Sequence, residues 1–315
     1  MGYKPGRYAA IDIGTVTCRL FVADVDEQGA LTGIARDTVI TNLGTGVDAS
    51  GRLAADSIER VGATIDGFAQ KIAKLEKEGK AITLHAIATS AARDASNSDE
   101  LIERLRKAGV ELDIIPGERE AALSFSGATS AFPGQKAVVV DVGGGSTEII
   151  GGSAGQAPSC VKSFQVGCRR VTERFFTQDP PGEQLVDDAG RWIAGEFSEY
   201  VEKLRREGFL DGRIIAVAGT ATSVVSMREE MAEYDSSRVH GAIVTCADLD
   251  KLIEKTQDMP LEERQRIVGL EPKRAPVIVA GLVILRQLMD VAGLDEFTVS
   301  EADILQGIVL DSARA

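Results

Sequence analysis

The hydrophobic pattern of the chain changes period repeatedly, and the changes mark its elements. Near the start, Ala10-Ile11-Asp12-Ile13 reads as an apolar strand that runs into Gly14-Thr15-Val16-Thr17, and a second strand-like run covers residues 19–25. A turn over residues 24–29 leads to a third strand at 31–41, so the chain opens as an antiparallel meander. Across residues 54–78, Ile58, Val61, Ile65, Phe68, Ile72 and Leu75 recur at spacings of three and four, which predicts a long amphipathic helix. The period then alternates: a strand at 82–88, a helix at 98–108 with Asp99 and Glu100 in its first turn, and a strand at 111–115.

Pro116-Gly117 breaks that strand, and residues 118–131 predict a helix that hands over to the second half. The domain boundary is placed there, giving domains over 1–124 and 125–299, with a C-terminal helix in 300–315 packing back on the first. The second half repeats the opening. A strand at 137–142 runs into Val140-Asp141-Val142-Gly143-Gly144-Gly145-Ser146-Thr147 and a further run at 148–151. A strand at 161–166, a helix from Arg169 and a long helix over 183–207 follow, the last ended by Gly208. A buried strand at 214–218 leads into Gly219-Thr220-Ala221-Thr222 and another helix, and a strand at 297–299 precedes a helix through Leu310. Alternating strands and helices predict mixed sheets with helical cover.

The chain has 315 residues, 44% of them hydrophobic, which is enough for two domains with real cores. Its longest strongly apolar run, residues 275–285, falls short of the roughly 18 residues that span a bilayer and reads as a buried helix. Residues 1–7 lack the apolar core of a signal peptide, so a cytoplasmic location is expected. Four scattered cysteines and two histidines disfavour a structural zinc site. A net charge of −13 argues against nucleic-acid binding through a broad basic surface. A polyanionic substrate would also be repelled at long range, so a local cluster of Arg, Lys and bound cation would have to overcome that field.

The duplicated hairpin suggests chemistry. Glycine permits the tight turn, successive N–H groups in such a turn form an anion-binding concavity, and the Asp suits a hard metal such as Mg²⁺. A single Asp-x-Gly hairpin reads first as an ordinary β-turn; the repeat favours two loops serving one phosphate site. Gly219-Thr220 offers a further glycine turn at a helix start, which reads either as an anion site or as a plain strand-to-helix turn.

The ordered motifs resemble the Ppx/GppA family of exopolyphosphatases and guanosine pentaphosphate phosphohydrolases, within the actin-like ATPase superfamily. The matching residues are Asp12 and Gly14 with Arg19-Leu20; Ala88-Thr89-Ser90-Ala91-Ala92-Arg93; Gly117-Glu118-Arg119-Glu120-Ala121; Asp141 through Glu148; Val239-His240-Gly241; Arg274-Ala275-Pro276-Val277-Ile278; and Ser300 through Gly307. The resemblance implies two actin-like (ribonuclease H-like) α/β domains, each a mixed five-stranded sheet flanked by helices, with a cleft between them. It implies Glu120 as the base that activates water, Arg93 as a phosphate-binding arginine, and Asp141 with Glu148 as metal ligands, Glu148 also serving catalysis. Asp12, Gly14, Thr15, Thr17, Arg19, Gly143, Gly144, Gly145, Ser146, Thr147, Gly219 and Thr220 are the implied phosphate and substrate contacts. Mg²⁺ or another divalent ion is the implied cofactor, a monovalent cation a further candidate, and a homodimer the implied assembly.

From the residues alone, Glu120 also reads as a helix-start glutamate, Glu148 as a plain strand residue, Asp12 as a turn cap and His240 as a hydrogen-bonded structural histidine. Lys162, Arg169 and Arg170 read either as a polyanion path or as a solvated face. Two departures stand out: Val16 occupies the place of the family's usual Asn, and Glu118-Arg119 replaces the commoner paired acids. The leading expectation is release of terminal phosphate from polyphosphate, with guanosine pentaphosphate as the alternative substrate. The short two-domain length suggests distributive action or shorter substrates. A sensor that binds the alarmone and a sugar or acetate kinase or chaperone-like ATPase are the other readings, the kinase disfavoured by Gly117 through Ala121.

Overall fold

A computed structural model of the protein describes residues 2–130, 132 and 134–314. The chain divides into two units: Met1–Gly127 together with Asp303–Ala315, and Ala128–Ala302.

In the first unit, β1 (Gly6–Ile13) and β2 (Thr17–Val25) form the hairpin, and β3 (Leu31–Ile40) extends it. A short α1 (Val47–Ser50) and the long α2 (Ala55–Lys77) lead to β4 (Ile82–Ala88), then α3 (Ser90–Asp94), α4 (Ser98–Arg106), β5 (Leu112–Ile114) and α5 (Gly117–Ser130). The helix expected over 118–131 is α5; Ala131 lies outside the described residues. The sheet order is β3-β2-β1-β4-β5, antiparallel across the hairpin strands and parallel from β1 through β4 to β5.

Side chains alternate across β1 as the pleat demands. Ala9, Ile11 and Ile13 face a core built with the apolar stripe of α2, while Tyr8 and Ala10 face a second core containing Leu305 and Val309 from the end of the chain. Both faces of this sheet are therefore covered, which accounts for the almost unbroken apolar run at residues 8–11.

The second unit repeats the plan. The hairpin β6 (Lys136–Val142) and β7 (Thr147–Ser153) continues into β8 (Cys160–Phe164), α6 (Cys168–Phe175) and α7 (Gly182–Arg206). Next come β9 (Arg213–Val217), α8 (Ala218–Arg228), a short α9 (Ser236–Val239), β10 (Ile243–Thr245), α10 (Cys246–Gln257), a short α11 (Leu261–Arg264), a 3₁₀ turn at Pro272–Arg274, α12 (Ile278–Ala292) and β11 (Glu296–Val299). The sheet order is β10-β11-β9-β6-β7-β8, with β6, β9 and β11 parallel. The final helix, α13 (Ile304–Ser312), belongs to the first unit.

Strand order and direction agree between the units, giving the ribonuclease H-like plan twice. Two details differ from the sequence reading. The second sheet has six strands rather than five, because β10 adds a three-residue edge strand too short to show an alternating pattern. Gly219 and Thr220 do not form a turn before a helix but lie in the first turn of α8, since Ala218 itself takes the left-handed conformation, with φ 65°, that reverses the chain.

Candidate active site

Each hairpin turn is closed by one backbone hydrogen bond of the same kind, Gly14 N–H to Thr17 O at 2.8 Å and Gly143 N–H to Ser146 O at 3.0 Å. In the second loop, backbone and side-chain donors of α6 collect the glycine carbonyls. Cys168 N–H donates to Gly143 O at 2.9 Å, Arg169 and Arg170 N–H donate to Gly144 O, and Arg170 Nε donates to Gly145 O at 2.8 Å. The close approach requires Gly167, where a Cβ would lie 2.4 Å from Gly144 O. With the carbonyls turned to α6, the N–H groups of Gly144, Gly145 and Ser146 have no protein acceptor among the described residues. Such a run of N–H groups has the donors an anion would need.

The first loop is built likewise. Thr41 and Asn42 N–H donate to Val16 O, and Gly44 N–H to Thr15 O at 2.9 Å, again turning carbonyls to a flanking segment. Val16 is a core residue, 5% exposed, so the side chain in the Asn position packs inward and its backbone alone serves the loop.

Asp141 and Glu148 stand directly opposite each other across β6 and β7, and both are buried. Ser163 Oγ donates to Glu148 Oε1 at 2.6 Å, so Glu148 is fixed in the pleat and is not a solvated strand residue. Two facing acids suit Mg²⁺, which is held by one or two carboxylates and completed by phosphate oxygens and water. Thr147 Oγ1 donates to Val166 O, and Thr220 Oγ1 donates to Val142 O at 3.2 Å, so both hydroxyls brace the end of β6 and its turn. The Arg274 guanidinium lies against the Cα of Gly219, where an added Cβ would meet it at 2.1 Å. Sequence reasoning assigned Arg274 no role, although it stood within a recognised motif.

In the first unit, Arg93 at the end of α3 and Glu120 in the first turn of α5 are paired at 3.2 Å, and the same Arg93 Nη1 donates to Ile115 O at 3.0 Å. Glu120 is 8% exposed, unlike its neighbour Glu118, which faces solvent. Arg93 Nη2 is buried with no hydrogen-bond partner among the described residues. A buried donor nitrogen left unmet is costly unless a ligand meets it.

Arg19 donates from Nε and Nη2 to Asp12 Oδ2, at 3.0 and 2.6 Å, and from Nη1 to Asp303. Burial pushes the Asp12 carboxyl above its ordinary value of 3.8, and the Arg19 guanidinium pulls it back. His240 accepts through Nδ1 from Glu301 N–H at 3.2 Å and stacks on Phe132, which gives it a structural place. Lys162 packs its ammonium over the rings of Phe164 and Tyr200, at 4.6 and 5.6 Å. Burial raises the Cys168 thiol, which keeps it protonated beside the loop. A cavity of about 940 Å³ opens at the starts of β6, β9 and β11, the opposite end of β6 from the glycine turn.

Comparison with known proteins gives the class of the chain. It is 36% identical to exopolyphosphatase 2 of Mycobacterium tuberculosis, over 98% of both chains. The crystal structure of the Aquifex aeolicus member of the Ppx/GppA family superposes with a TM-score of 0.79 at 30% identity, covering 98% of this chain and 97% of that one. An exopolyphosphatase-like protein superposes with a TM-score of 0.87 at 32% identity, covering 99% and 98%. Such enzymes are hydrolases acting on phosphoanhydride bonds, and residues 21–315 match the Ppx/GppA phosphatase family. The chain belongs to that family.

Proposed function

We propose that the protein releases terminal orthophosphate from inorganic polyphosphate, with Glu120 as the general base. The observation that carries the reading is the part-buried Arg93–Glu120 pair, in which one guanidinium nitrogen remains for a phosphate oxygen and the carboxylate is held at the first turn of α5. Its support from outside the chain is the exopolyphosphatase name of the relative matched end to end.

In this reading Glu120 takes a proton from water as the water oxygen attacks the terminal phosphorus. The anhydride P–O bond breaks, leaving orthophosphate and a chain one unit shorter, and Glu120 returns its proton to solvent. Arg93 binds oxygens of the transferred group and offsets the charge that develops on them. The N–H groups of Gly144, Gly145 and Ser146 receive phosphate oxygens, as do those of Thr15 and Val16 in the first loop. Asp141 and Glu148 would hold Mg²⁺, whose part is to neutralise phosphate charge. Phosphoryl transfer needs positioning and charge compensation more than covalent help, so one base and these donors suffice.

The test is phosphate release from polyphosphate, guanosine pentaphosphate and ATP, each with and without Mg²⁺. Release from polyphosphate that depends on Mg²⁺ is expected. Faster release from guanosine pentaphosphate would move the substrate assignment, and turnover of ATP alone would overturn it.

A further inference from the structure

The two hairpins share a register but carry opposite charge pairings. Across β6 and β7, Asp141 faces Glu148; at the matching place across β1 and β2, Asp12 faces Arg19. In the first hairpin the residue facing the carboxylate supplies a positive charge, which the facing carboxylate of the second hairpin does not.

The Arg19 fork is fully directed. Nε and Nη2 both bond Asp12 Oδ2, and Nη1 bonds Asp303 Oδ2. Asp12 Oδ1 accepts no hydrogen bond from the protein among the described residues, so the carboxylate is pinned by one oxygen and presents the other. Asp303 is itself anchored. Its Oδ1 accepts from Leu305 N–H at 3.0 Å, and its own N–H donates to Gln306 Oε1 at 3.0 Å, a capping box at the start of α13. The side chains of Arg19, Asp12 and Asp303 are 12%, 6% and 5% exposed, so water loosens none of these contacts.

The backbone beneath Asp303 is equally constrained. A Cβ on Gly127 would lie 1.7 Å from Asp303 O, and one on Gly307 would lie 1.9 Å from Leu123 O. α13 and α5 therefore meet backbone to backbone, and α5 begins with the turn that holds Glu120.

We propose that Asp303 is a positioning residue that holds Arg19, and through it the Asp12 carboxylate, in fixed register with the helix bearing Glu120. Arg19 is then the built-in cation of the first loop, acting on Asp12, and not a direct phosphate ligand. The inference rests on the hydrolase reading above.

The experiment compares steady-state phosphate release from polyphosphate by the unaltered chain, Arg19→Met, Asp303→Asn and the double variant. Asn caps a helix as well as Asp does, so Asp303→Asn keeps the cap and removes the charge facing Arg19. Each single variant is expected to lose about 10- to 100-fold in kcat, with KM within about twofold of the unaltered value. The double variant should be no worse than the poorer single one, because both act through Asp12. A raised KM at unchanged kcat in Arg19→Met would make Arg19 a substrate ligand. Multiplied losses in the double variant would show that Asp303 acts independently of Arg19, and either result overturns the proposal. If Arg19→Met does not fold, as read by circular dichroism, Arg19→Lys takes its place. Lysine keeps the charge without the fork, so the kcat loss should persist, and full activity would overturn the inference. No phosphate release by the unaltered chain from any of the three substrates sinks the hydrolase reading itself, and this role with it.

Discussion

Glu120 and Glu148 are both buried carboxylates with different neighbours. Glu120 is met by a guanidinium, Glu148 by a hydroxyl and a facing acid. Glu120→Gln keeps the shape and the contact with Arg93 but cannot accept a proton. In a phosphate-release assay it should lose about 10²- to 10⁴-fold in kcat with KM little changed; a variant with full turnover would remove Glu120 as base. A second residue-scale expectation concerns stability. Hydrogen bonding from Arg7 Nε at 2.8 Å, aided by Lys80, holds the Asp24 carboxyl below its ordinary value of 3.8. A depressed native value stabilises the fold above pH 3.8, and the contribution is lost as pH falls through the native value. Arg7→Gln should therefore cost up to about 1 kcal/mol in urea unfolding at pH 7 and less near pH 2. Equal losses at both values would contradict it. The facing of Asp141 and Glu148 was legible in sequence, because a hairpin fixes which positions oppose. The bond from Arg19 to Asp303 spans 284 positions, and an aspartate before a helix normally signals no more than a cap.

At the scale of elements, periodicity located the long helices, since α2 and α7 each bury one stripe of their surface. It missed what depends on contact between elements. β10 has three residues and exists because β11 pairs with it. The start of α8 was read one turn late because Ala218, not a glycine, makes the left-handed step. Helix glycines divide in the same way: their sequence context does not show which ones touch another backbone. Gly307 of α13 meets Leu123 O, whereas Gly67 of α2 and Gly195 of α7 have nothing within 4 Å of an added Cβ. Gly307→Ala should therefore force the helices apart and destabilise by about 1–3 kcal/mol. Gly67→Ala and Gly195→Ala should each stabilise by about 0.4–1 kcal/mol. Thermal unfolding of the three variants checks the contrast, and a uniform sign would show that helix propensity alone governs these sites.

At the scale of the whole molecule, the first unit is discontinuous in sequence. Its hairpin and its closing helix lie at opposite ends of the chain, with the whole second unit between them. Ile304, Leu305, Ile308 and Val309 bury themselves against Tyr8, Ala10 and Phe21, and Lys4 N–H donates to Ala313 O at 2.7 Å, so α13 supplies one face of the first core. Each such side chain contributes about 1.5–3 kcal/mol by burial, and four together match the net stability of an ordinary domain. The second unit takes nothing from this segment for its own sheet, whose strands all lie within residues 136–299. Removal of residues 303–315 should thus unfold one unit and spare the other. Hydrogen exchange read by mass spectrometry should show β1, β2 and β4 losing protection while β6, β9 and α12 keep theirs. Phosphate release should vanish as well, because Asp12, Arg93 and Glu120 all lie in the unit that is lost. Retained protection across β1 and β2 would show that the first sheet is stable with one face bare.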